Sequence, residues 1–200
     1  MEIGLERQGR LVAYDLVPGT HCAVRRDSQG RLGLYLGSHG RTDVPDLGPF
    51  VPTPKEVVER ALKLAGVSAA DVVYDLGCGD GRIVIEAARR YGARGVGVDL
   101  DPRLVRESQE AARAAAVERL VAFRAGDATQ CDVTAATVVF MYLVPEANAL
   151  LRPRLEAQLR PGSRVVSHDY PVPGWTAARA EIFEPGTGKK HYIFLYVMKK

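Results

Sequence analysis

The chain has 200 residues, of which 46% are hydrophobic and 26% are charged, and its formal net charge is +3. This length accommodates one large domain, or one domain with a small extension, and the composition is typical of a folded globular protein rather than a disordered one. The small positive excess is scattered along the chain, whereas nucleic-acid-binding surfaces carry clustered basic residues. The charge pattern therefore argues against a nucleic-acid partner.

The three cysteines, Cys22, Cys78 and Cys131, are far apart and have no CxxC spacing. They provide neither a disulfide framework nor a zinc site, so we expect no bound metal and a reducing, cytoplasmic environment. The longest apolar stretch, at residues 137–145, is much shorter than the roughly 20 residues that span a bilayer. The N-terminus has no secretion-signal pattern, and we expect no membrane anchor.

The first 49 residues are predicted to form a small β-rich extension. Short strand-like runs are separated by turn signals rich in glycine, proline and aspartate. The runs lie at residues 11–14, 22–25 and 32–36. This pattern predicts a β-meander that extends a main domain over residues 50–200.

From Thr53 onward, helical and strand-like patterns alternate. Thr53 has the features of a helix N-cap, with a first-turn proline and a capping-box glutamate, Glu56. A later helix begins near Pro145, and Pro153 is expected to kink or divide it. The predicted strands are 72–76, 95–99, 120–124, 137–142, 164–168, 178–183 and 192–198, with further helices at 82–91 and 101–116.

This alternation is typical of an α/β fold with a Rossmann-like, doubly wound and mostly parallel sheet. Only residues 184–188 join the last two predicted strands, which is too short for a crossover helix and predicts an antiparallel C-terminal hairpin. Ligands of such sheets bind beyond the carboxyl ends of the strands, so the residues there are the candidates for a functional site.

A glycine-rich turn, Asp75-Leu76-Gly77-Cys78-Gly79-Asp80-Gly81-Arg82, follows the strand at 72–76 and opens a helix. A dinucleotide would place its pyrophosphate at this helix N-terminus. However, the third glycine of that fingerprint falls at Arg82, and the carboxylates of Asp75 and Asp80 would repel a pyrophosphate. A ligand with an amine and a positive sulfonium suits these acids, which favours S-adenosylmethionine over NAD.

Residues 73–81 resemble the first motif of the class I, seven-strand S-adenosylmethionine-dependent methyltransferases. The resemblance implies that Asp75 lies near the methionine amino group, that Asp99 binds both ribose hydroxyls and that Asp127 receives the adenine amino group. A carboxylate can accept two hydrogen bonds at once, which suits the ribose role. The implied cofactor-binding residues are Asp75, Gly77, Gly79, Asp99, Leu100, Asp127 and Ala128.

A narrower resemblance extends from Phe50 to the C-terminus. Residues 50–53, 79–84 and 167–175 look like the small protein-lysine methyltransferases related to the mitochondrial enzyme that acts on the ATP synthase c subunit. This resemblance implies a protein substrate that presents a lysine. Those mitochondrial relatives carry a hydrophobic membrane anchor that we do not find in this sequence, which argues against a membrane-embedded substrate.

The segment after the fourth strand, 141–146, is expected to face the transferred methyl group. It does not contain the [N/D]-P-P-[Y/F/W] signature of methyltransferases that act on the amino groups of DNA, glutamine or ribosomal RNA. A lysine amine, with an unperturbed pKa of roughly 10.4, needs desolvation and orientation. We therefore assign no catalytic residue and predict that Tyr142, Asp169 and Trp175 line the substrate site.

Alternatives remain for each of these assignments. Tyr142 equally fits a core aromatic residue, and Trp175 a buried structural one. Adjacent strand residues point to opposite faces, so His168 and Asp169 need not form a dyad, and we favour a packing role for His168. A small-molecule methyltransferase, an RNA methyltransferase and a non-catalytic S-adenosylmethionine-binding module remain the alternative functions.

Overall fold

The chain divides into two compact units, residues 1–50 and 51–200. The computed structural model describes residues 2–7, 10–15, 22–26, 32–36, 44–45, 47–48, 50–186 and 188–199. In that part of the chain, no helix has the length and apolar character needed to cross a membrane.

Four strands of the first unit form two antiparallel hairpins. Strand β1 (Glu2–Arg7) pairs with β2 (Arg10–Asp15), and β3 (Cys22–Arg26) pairs with β4 (Leu32–Leu36). The predicted meander lacked β1, and the described strands form two separate sheets rather than one. Residue patterns indicate extended segments, but turns and register decide which segments pair. That residues 1–49 extend a main domain at 50–200 stays our proposal.

The second unit alternates strands and helices as predicted. Its described strands are β5 (Val72–Leu76), β6 (Arg94–Asp99), β7 (Val121–Ala125), β8 (Val138–Met141), β9 (Arg164–His168), β10 (Arg179–Phe183) and β11 (His191–Val197). Its described helices are α1 (Lys55–Leu64), α2 (Arg82–Tyr91), α3 (Pro102–Ala114) and α4 (Pro145–Gln158), with a 3-10 turn at Ala128–Gln130.

The seven strands form one sheet in the order β10-β11-β9-β8-β5-β6-β7. Strands β5 to β9 are parallel, and β11 runs antiparallel to both of its neighbours. This confirms the predicted Rossmann-like fold with its antiparallel C-terminal hairpin. The chain order reverses between β5 and β8, and the crevice at such a reversal is where ligands of this fold class bind.

Apolar residues at helical spacing attach the helices to this sheet. The buried side chains Val57, Val58, Ala61 and Leu62 of α1 lie in one core cluster with Val73, Val138 and Val166 of the central strands. A second cluster joins Val84 of α2, Val105 of α3 and Phe123 of β7. The rigid sheet that results holds the ends of β5, β6, β8 and β9 in place.

The predicted cap of α1 by Thr53 is wrong, and the predicted division of α4 at Pro153 does not occur. Helix α1 begins after Pro54 without a side-chain cap, because the hydroxyl group of Thr53 instead lies 3.2 Å from Nδ1 of His168. Helix α4 continues through Pro153 without interruption. The buried side chains of Leu151 and Leu155 on either side of this proline anchor the helix and offset the missing backbone hydrogen bond.

Asp71 links the amino ends of three parallel strands. Its carboxylate accepts hydrogen bonds from the Ser68 amide at 2.8 Å and the Thr137 hydroxyl at 2.7 Å, and it forms an ion pair with Arg164. Burial disfavours the charged form, but the hydrogen bonds from Thr137 and Ser68 and the charge of Arg164 hold the pKa of Asp71 below its usual value. The charged form therefore stabilises the fold.

Lowering the pH should reduce the free energy of unfolding of the wild-type protein more than that of an Asp71→Asn variant. A carboxylate whose pKa is lowered by folding contributes stability above its unfolded pKa, near 4, and loses it as the pH falls through the folded pKa. Urea unfolding of both proteins at pH 7 and in acid measures the difference. Glu110→Gln, on the exposed face of α3, is the control. Equal acid sensitivity of wild type and Asp71→Asn would contradict the assignment.

Candidate active site

The glycine-rich turn between β5 and α2 lies at the carboxyl edge of the sheet. Gly77, Gly79 and Gly81 have φ angles of +84°, +53° and +77°, a left-handed conformation that other residues rarely adopt. A Cβ atom at Gly77 would lie 2.9 Å from Cδ2 of Leu143, just after β8. Because glycine has no side chain, the backbone of the turn itself lies close to the residues that follow β8.

Most amides of this turn are already hydrogen-bonded within the protein. Gly77 and Cys78 donate to the Val98 carbonyl at 2.9 and 3.0 Å, Gly81 donates to the Cys78 carbonyl at 2.9 Å, and Gly79 donates to Oδ2 of Asp99 at 2.8 Å. A pyrophosphate at a helix N-terminus needs such amides as donors. These four amides are therefore engaged within the protein, which adds to the argument from charge against a dinucleotide.

Asp75 presents a buried carboxylate at the end of β5. The residue is 3% exposed, and burial together with the charges of Asp99 and Asp80 raises its pKa well above the usual value. No hydrogen bond from the described residues reaches this carboxylate. A cationic ligand group beside this carboxylate would offset both the cost of burying its charge and the repulsion from the other two acids. The site therefore fits an ammonium group such as the amino group of S-adenosylmethionine.

Asp80, the second acid of the turn, has a partner within the protein. Nε of Arg82 donates to its two carboxylate oxygens at 2.9 and 3.1 Å, and Nη1 of Arg82 donates to the Thr53 carbonyl at 2.8 Å. We predicted that Asp75 and Asp80 would both face the ligand. Since Arg82 offsets the charge of Asp80, Asp75 is the acid that remains for a cationic ligand.

Asp99 and Asp127 lie at the carboxyl ends of the two neighbouring strands, β6 and β7. Asp99 accepts the amides of Gly79 and Asp101 at 2.8 and 2.9 Å, one on each oxygen. Oδ1 of Asp127 accepts the amide and the hydroxyl group of Thr129 at 2.8 and 2.7 Å. Each carboxylate thus has a local structural role. Next to them, Leu100 is half-buried and Ala128 is buried.

A second polar group follows β8 and β9. The Tyr142 hydroxyl donates to Oδ2 of Asp169 at 3.2 Å, and its ring lies 3.9 Å from that of His168. Asp169 has a φ angle of +59°, so the chain leaves the strand direction and brings Oδ1 to 3.4 Å from Nε2 of His168. The alternation of strand faces therefore does not apply to this pair.

His191, the first residue of β11, belongs to the same group and was missed from the sequence. Its Nδ1 lies 2.9 Å from Nε2 of His168 and 3.3 Å from Oδ1 of Asp169. Only the antiparallel pairing of β9 and β11 brings it there. This arrangement of two histidines and a carboxylate differs from the expectation of no metal-ligating cluster, which considered the cysteines alone.

Protonation states in this group follow from burial and charge. Burial, with the charge of Asp169, raises the pKa of Tyr142, which therefore remains a hydroxyl donor. Burial lowers the pKa of His168, which favours the neutral imidazole. Burial opposes the ionisation of Asp169, but the Tyr192 amide, which donates to Oδ1 at 3.0 Å, and the nearby histidines lower its pKa. Asp169 is thus the anion of the group.

Trp175 lies apart from these side chains. Its Nε1 donates to Oε1 of Glu156 at 2.7 Å, and its ring packs edge-on against Tyr196 at 5.2 Å. Among the described residues, it has no ring contact or hydrogen bond with Tyr142 or Asp169. Its contacts match the alternative of a structural tryptophan and do not support a lysine channel.

A sequence model of the ANTKMT methyltransferase domain matches residues 75–179, just over half of the chain. The protein belongs to this methyltransferase family, which confirms the resemblance seen in the glycine-rich motif. It is an S-adenosylmethionine-dependent methyltransferase.

Two relatives are similar to well over half of this chain. A protein-lysine N-methyltransferase of Saccharolobus islandicus is 41% identical over 151 residues, which are 75% of this chain and 93% of the relative. The human ATP synthase c-subunit lysine N-methyltransferase is 34% identical over 128 residues, 64% of this chain and 54% of the relative. The chain thus spans about half the length of this human relative.

A solved structure is also similar. The crystal structure of an RNA methyltransferase from Salinibacter ruber in complex with S-adenosyl-L-homocysteine is 49% identical, with a TM-score of 0.70. The match covers 74% of this chain and 94% of that one. The names of the relatives therefore point to two kinds of acceptor, protein lysine and RNA.

Proposed function

We propose that this methyltransferase transfers a methyl group from S-adenosylmethionine to the side-chain amine of a lysine in a protein substrate. The observation that carries this proposal is the carboxylate of Asp169, held by Tyr142 at the ends of β8 and β9. A carboxylate at an acceptor site attracts an ammonium group and repels the phosphates of a nucleic acid. Nζ of Lys189 lies 3.6 Å from Oδ2 of Asp169, so an amine of this type fits beside it.

The strand register supports an acceptor site next to the cofactor. Leu76 pairs with Met141, and Met141 pairs with Ser167. Tyr142 and Asp169 therefore follow the same edge of the sheet at which Asp75 lies. The names of the Saccharolobus and human relatives support the same class of acceptor.

For the cofactor, we propose the roles implied by the family motif. Asp75 would bind the amino group, the backbone at Gly77 and Gly79 would line the methionine moiety, and Asp99 would bind the ribose. Leu100, Asp127 and Ala128 would surround the adenine. When bound, the cofactor supplies a methyl group on a positively charged sulfonium. The buried acid Asp75, and the position of Asp99 against the Gly79 amide of the glycine-rich turn, support these assignments.

The residues on the acceptor side would act by positioning and electrostatics. The lysine must give its proton to water before its nitrogen can attack. Positive charge then develops on that nitrogen as the bond to the methyl carbon forms and the bond between this carbon and the sulfonium breaks. Asp169 would stabilise this charge, and Tyr142 would keep the carboxylate oriented through its hydroxyl group. No described residue needs to act as a nucleophile.

RNA is the second candidate acceptor, because the Salinibacter protein is named an RNA methyltransferase. Two features of this chain favour lysine instead: the segment 141–146 has no [N/D]-P-P-[Y/F/W] signature, and its basic residues are scattered. A small-molecule methyltransferase and a non-catalytic cofactor-binding module are the third and fourth candidates. We propose that nucleic acid is not a substrate.

Labelled methyl transfer into a cell lysate tests these four candidates together. We expect the label to precipitate with protein, to resist ribonuclease, to be lost on protease treatment and to elute as methyl-lysine after hydrolysis. An Asp99→Ala variant is the control for background transfer. Label in RNA or in the low-molecular-weight fraction would reject the lysine proposal, and cofactor binding without any transfer would favour the non-catalytic module.

We also propose a cytoplasmic location. The support is that Cys78, which is buried, and Cys131, which is half-buried, are not paired in a disulfide. Burial also raises the pKa of the Cys78 thiol, which makes it a structural residue of the turn rather than a redox group. Fluorescent tagging in the source cells would test the location.

A further inference from the structure

Three side chains bring one nitrogen or oxygen atom each to within 3.4 Å of the other two, between the end of β9 and the start of β11. Nε2 of His168 lies 2.9 Å from Nδ1 of His191, and Oδ1 of Asp169 lies 3.4 Å and 3.3 Å from these two nitrogens. We propose that His168, Asp169 and His191 bind a divalent transition-metal ion, with Zn²⁺ as the first ion to test. Metal binding goes beyond methyl transfer and does not depend on the identity of the acceptor.

The distances between the ligand atoms match those that a metal imposes. Zinc–nitrogen and zinc–oxygen bonds are both near 2.1 Å, so neighbouring ligand atoms in octahedral or tetrahedral geometry are separated by about 3.0 to 3.4 Å. The three observed separations lie at this spacing or within 0.1 Å of it. Two imidazoles and one carboxylate are also a ligand set that suits Zn²⁺, Co²⁺ and Fe²⁺.

The three ligands are held in place by their surroundings. The side chains of His168 and His191 are 0% and 4% exposed, on strands that pair directly. The Thr53 hydroxyl lies 3.2 Å from Nδ1 of His168. If this nitrogen carries the proton and donates to Thr53, Nε2 presents its lone pair to the ion, which is the usual outer-shell arrangement of a metal-binding histidine.

Asp169 adopts a backbone conformation that aims its carboxylate at this point. Its φ angle of +59° is uncommon for a residue other than glycine, and such strained residues cluster at functional sites. Oδ1 also accepts the Tyr192 amide, while Oδ2 contacts Tyr142 and Lys189. The metal would therefore use Oδ1.

A hydrogen bond between the two imidazoles is the alternative explanation of the 2.9 Å contact. In that arrangement one proton lies between Nε2 of His168 and Nδ1 of His191. Metal binding requires that this proton move to the other nitrogen of the same ring. The hydrogen-bonded and metal-bound arrangements thus differ by one proton position, and a metal titration shows whether the second arrangement forms.

Metal binding has a consequence for the acceptor site, and this consequence rests on the proposed function. The ion would bind the carboxylate that we assign to the lysine amine, and its positive charge would repel an ammonium group. Added Zn²⁺ is therefore expected to inhibit methyl transfer in competition with the protein acceptor. Binding itself is measured without acceptor, so the two proposals can fail separately.

Titration of the chelator-treated full-length protein with Zn²⁺ and with Co²⁺ tests the site. We expect one ion per chain, a rise in melting temperature with Zn²⁺, and a Co²⁺ absorption spectrum without a thiolate charge-transfer band. Asp169→Asn and His191→Gln should bind no ion, should show no rise in melting temperature with Zn²⁺ and should give no spectrum of protein-bound Co²⁺. Thr53→Val should weaken binding by roughly tenfold to a hundredfold, as for an outer-shell residue.

The controls distinguish loss of the site from loss of the fold. Asparagine tolerates a left-handed backbone, so Asp169→Asn should keep its circular dichroism and its affinity for S-adenosylmethionine. His21→Gln and His39→Gln replace the other two histidines of the chain and should bind metal as wild type does. No binding by wild type, unchanged binding by Asp169→Asn and His191→Gln, or a thiolate spectrum would each overturn the proposal.

Discussion

Replacing Asp99 by alanine is expected to weaken the binding of S-adenosylmethionine at least tenfold. Under the proposed role, the variant loses charge-assisted hydrogen bonds to the ribose, each worth about 1.5–3 kcal/mol, and about 1.4 kcal/mol corresponds to a factor of ten in affinity. Asp99 also accepts the Gly79 amide, so the glycine-rich turn loses an internal support. Calorimetric titration with S-adenosylmethionine and its demethylated product measures the change.

Two comparisons make this result specific. Asp101→Ala removes a neighbouring half-buried acid whose carboxylate caps α3 through the Arg103 amide, and it should retain wild-type affinity. NAD should not bind either protein measurably, because the amides of the turn are already engaged. A folded Asp99→Ala protein with an unchanged dissociation constant would remove the ribose assignment, and NAD affinity comparable to that for S-adenosylmethionine would refute the argument from charge.

A Tyr142→Phe variant is expected to bind the cofactor normally but to turn over roughly ten- to a hundredfold more slowly. The change removes the hydroxyl group that donates to Asp169 at 3.2 Å and little volume. If Asp169 stabilises the charge that develops on the acceptor nitrogen, misorientation of its carboxylate destabilises the transition state more than the bound substrate. A loss of about 1.4–3 kcal/mol in barrier stabilisation corresponds to this range of rates.

Tyr170→Phe is the matched control for this variant. Its ring lies 6.5 Å from that of Tyr142, and the side chain is exposed, so removal of its hydroxyl group should leave turnover unchanged. Steady-state kinetics at saturating cofactor, with calorimetry of cofactor binding, separate the two effects. If Tyr142→Phe instead weakens cofactor binding and keeps turnover at saturation, then Tyr142 is a wall of the cofactor site and not an acceptor-side residue.

Local sequence patterns were sufficient for most of the fold of the second unit. Three features each depend on residues that are close together in the chain. They are the glycine-rich turn, the acids Asp75 and Asp99 at the ends of their strands, and the short connection before the last strand. Helix α2 has the predicted bounds, Arg82–Tyr91, because its apolar spacing and its two flanking glycines are local signals. The family resemblance rests on the same short segment and could therefore be read from the chain.

Only the tertiary structure decided which distant residues meet. Thr53 contacts His168 instead of capping α1, Arg82 neutralises Asp80, and His191 joins His168 and Asp169 through the pairing of β11 with β9. These contacts compete with the local interactions that a sequence pattern suggests, and strand pairing and burial determine the outcome. The amino-acid sequence thus determined the fold class and the methyltransferase motif, whereas the acceptor side and its histidine cluster depend on long-range strand register.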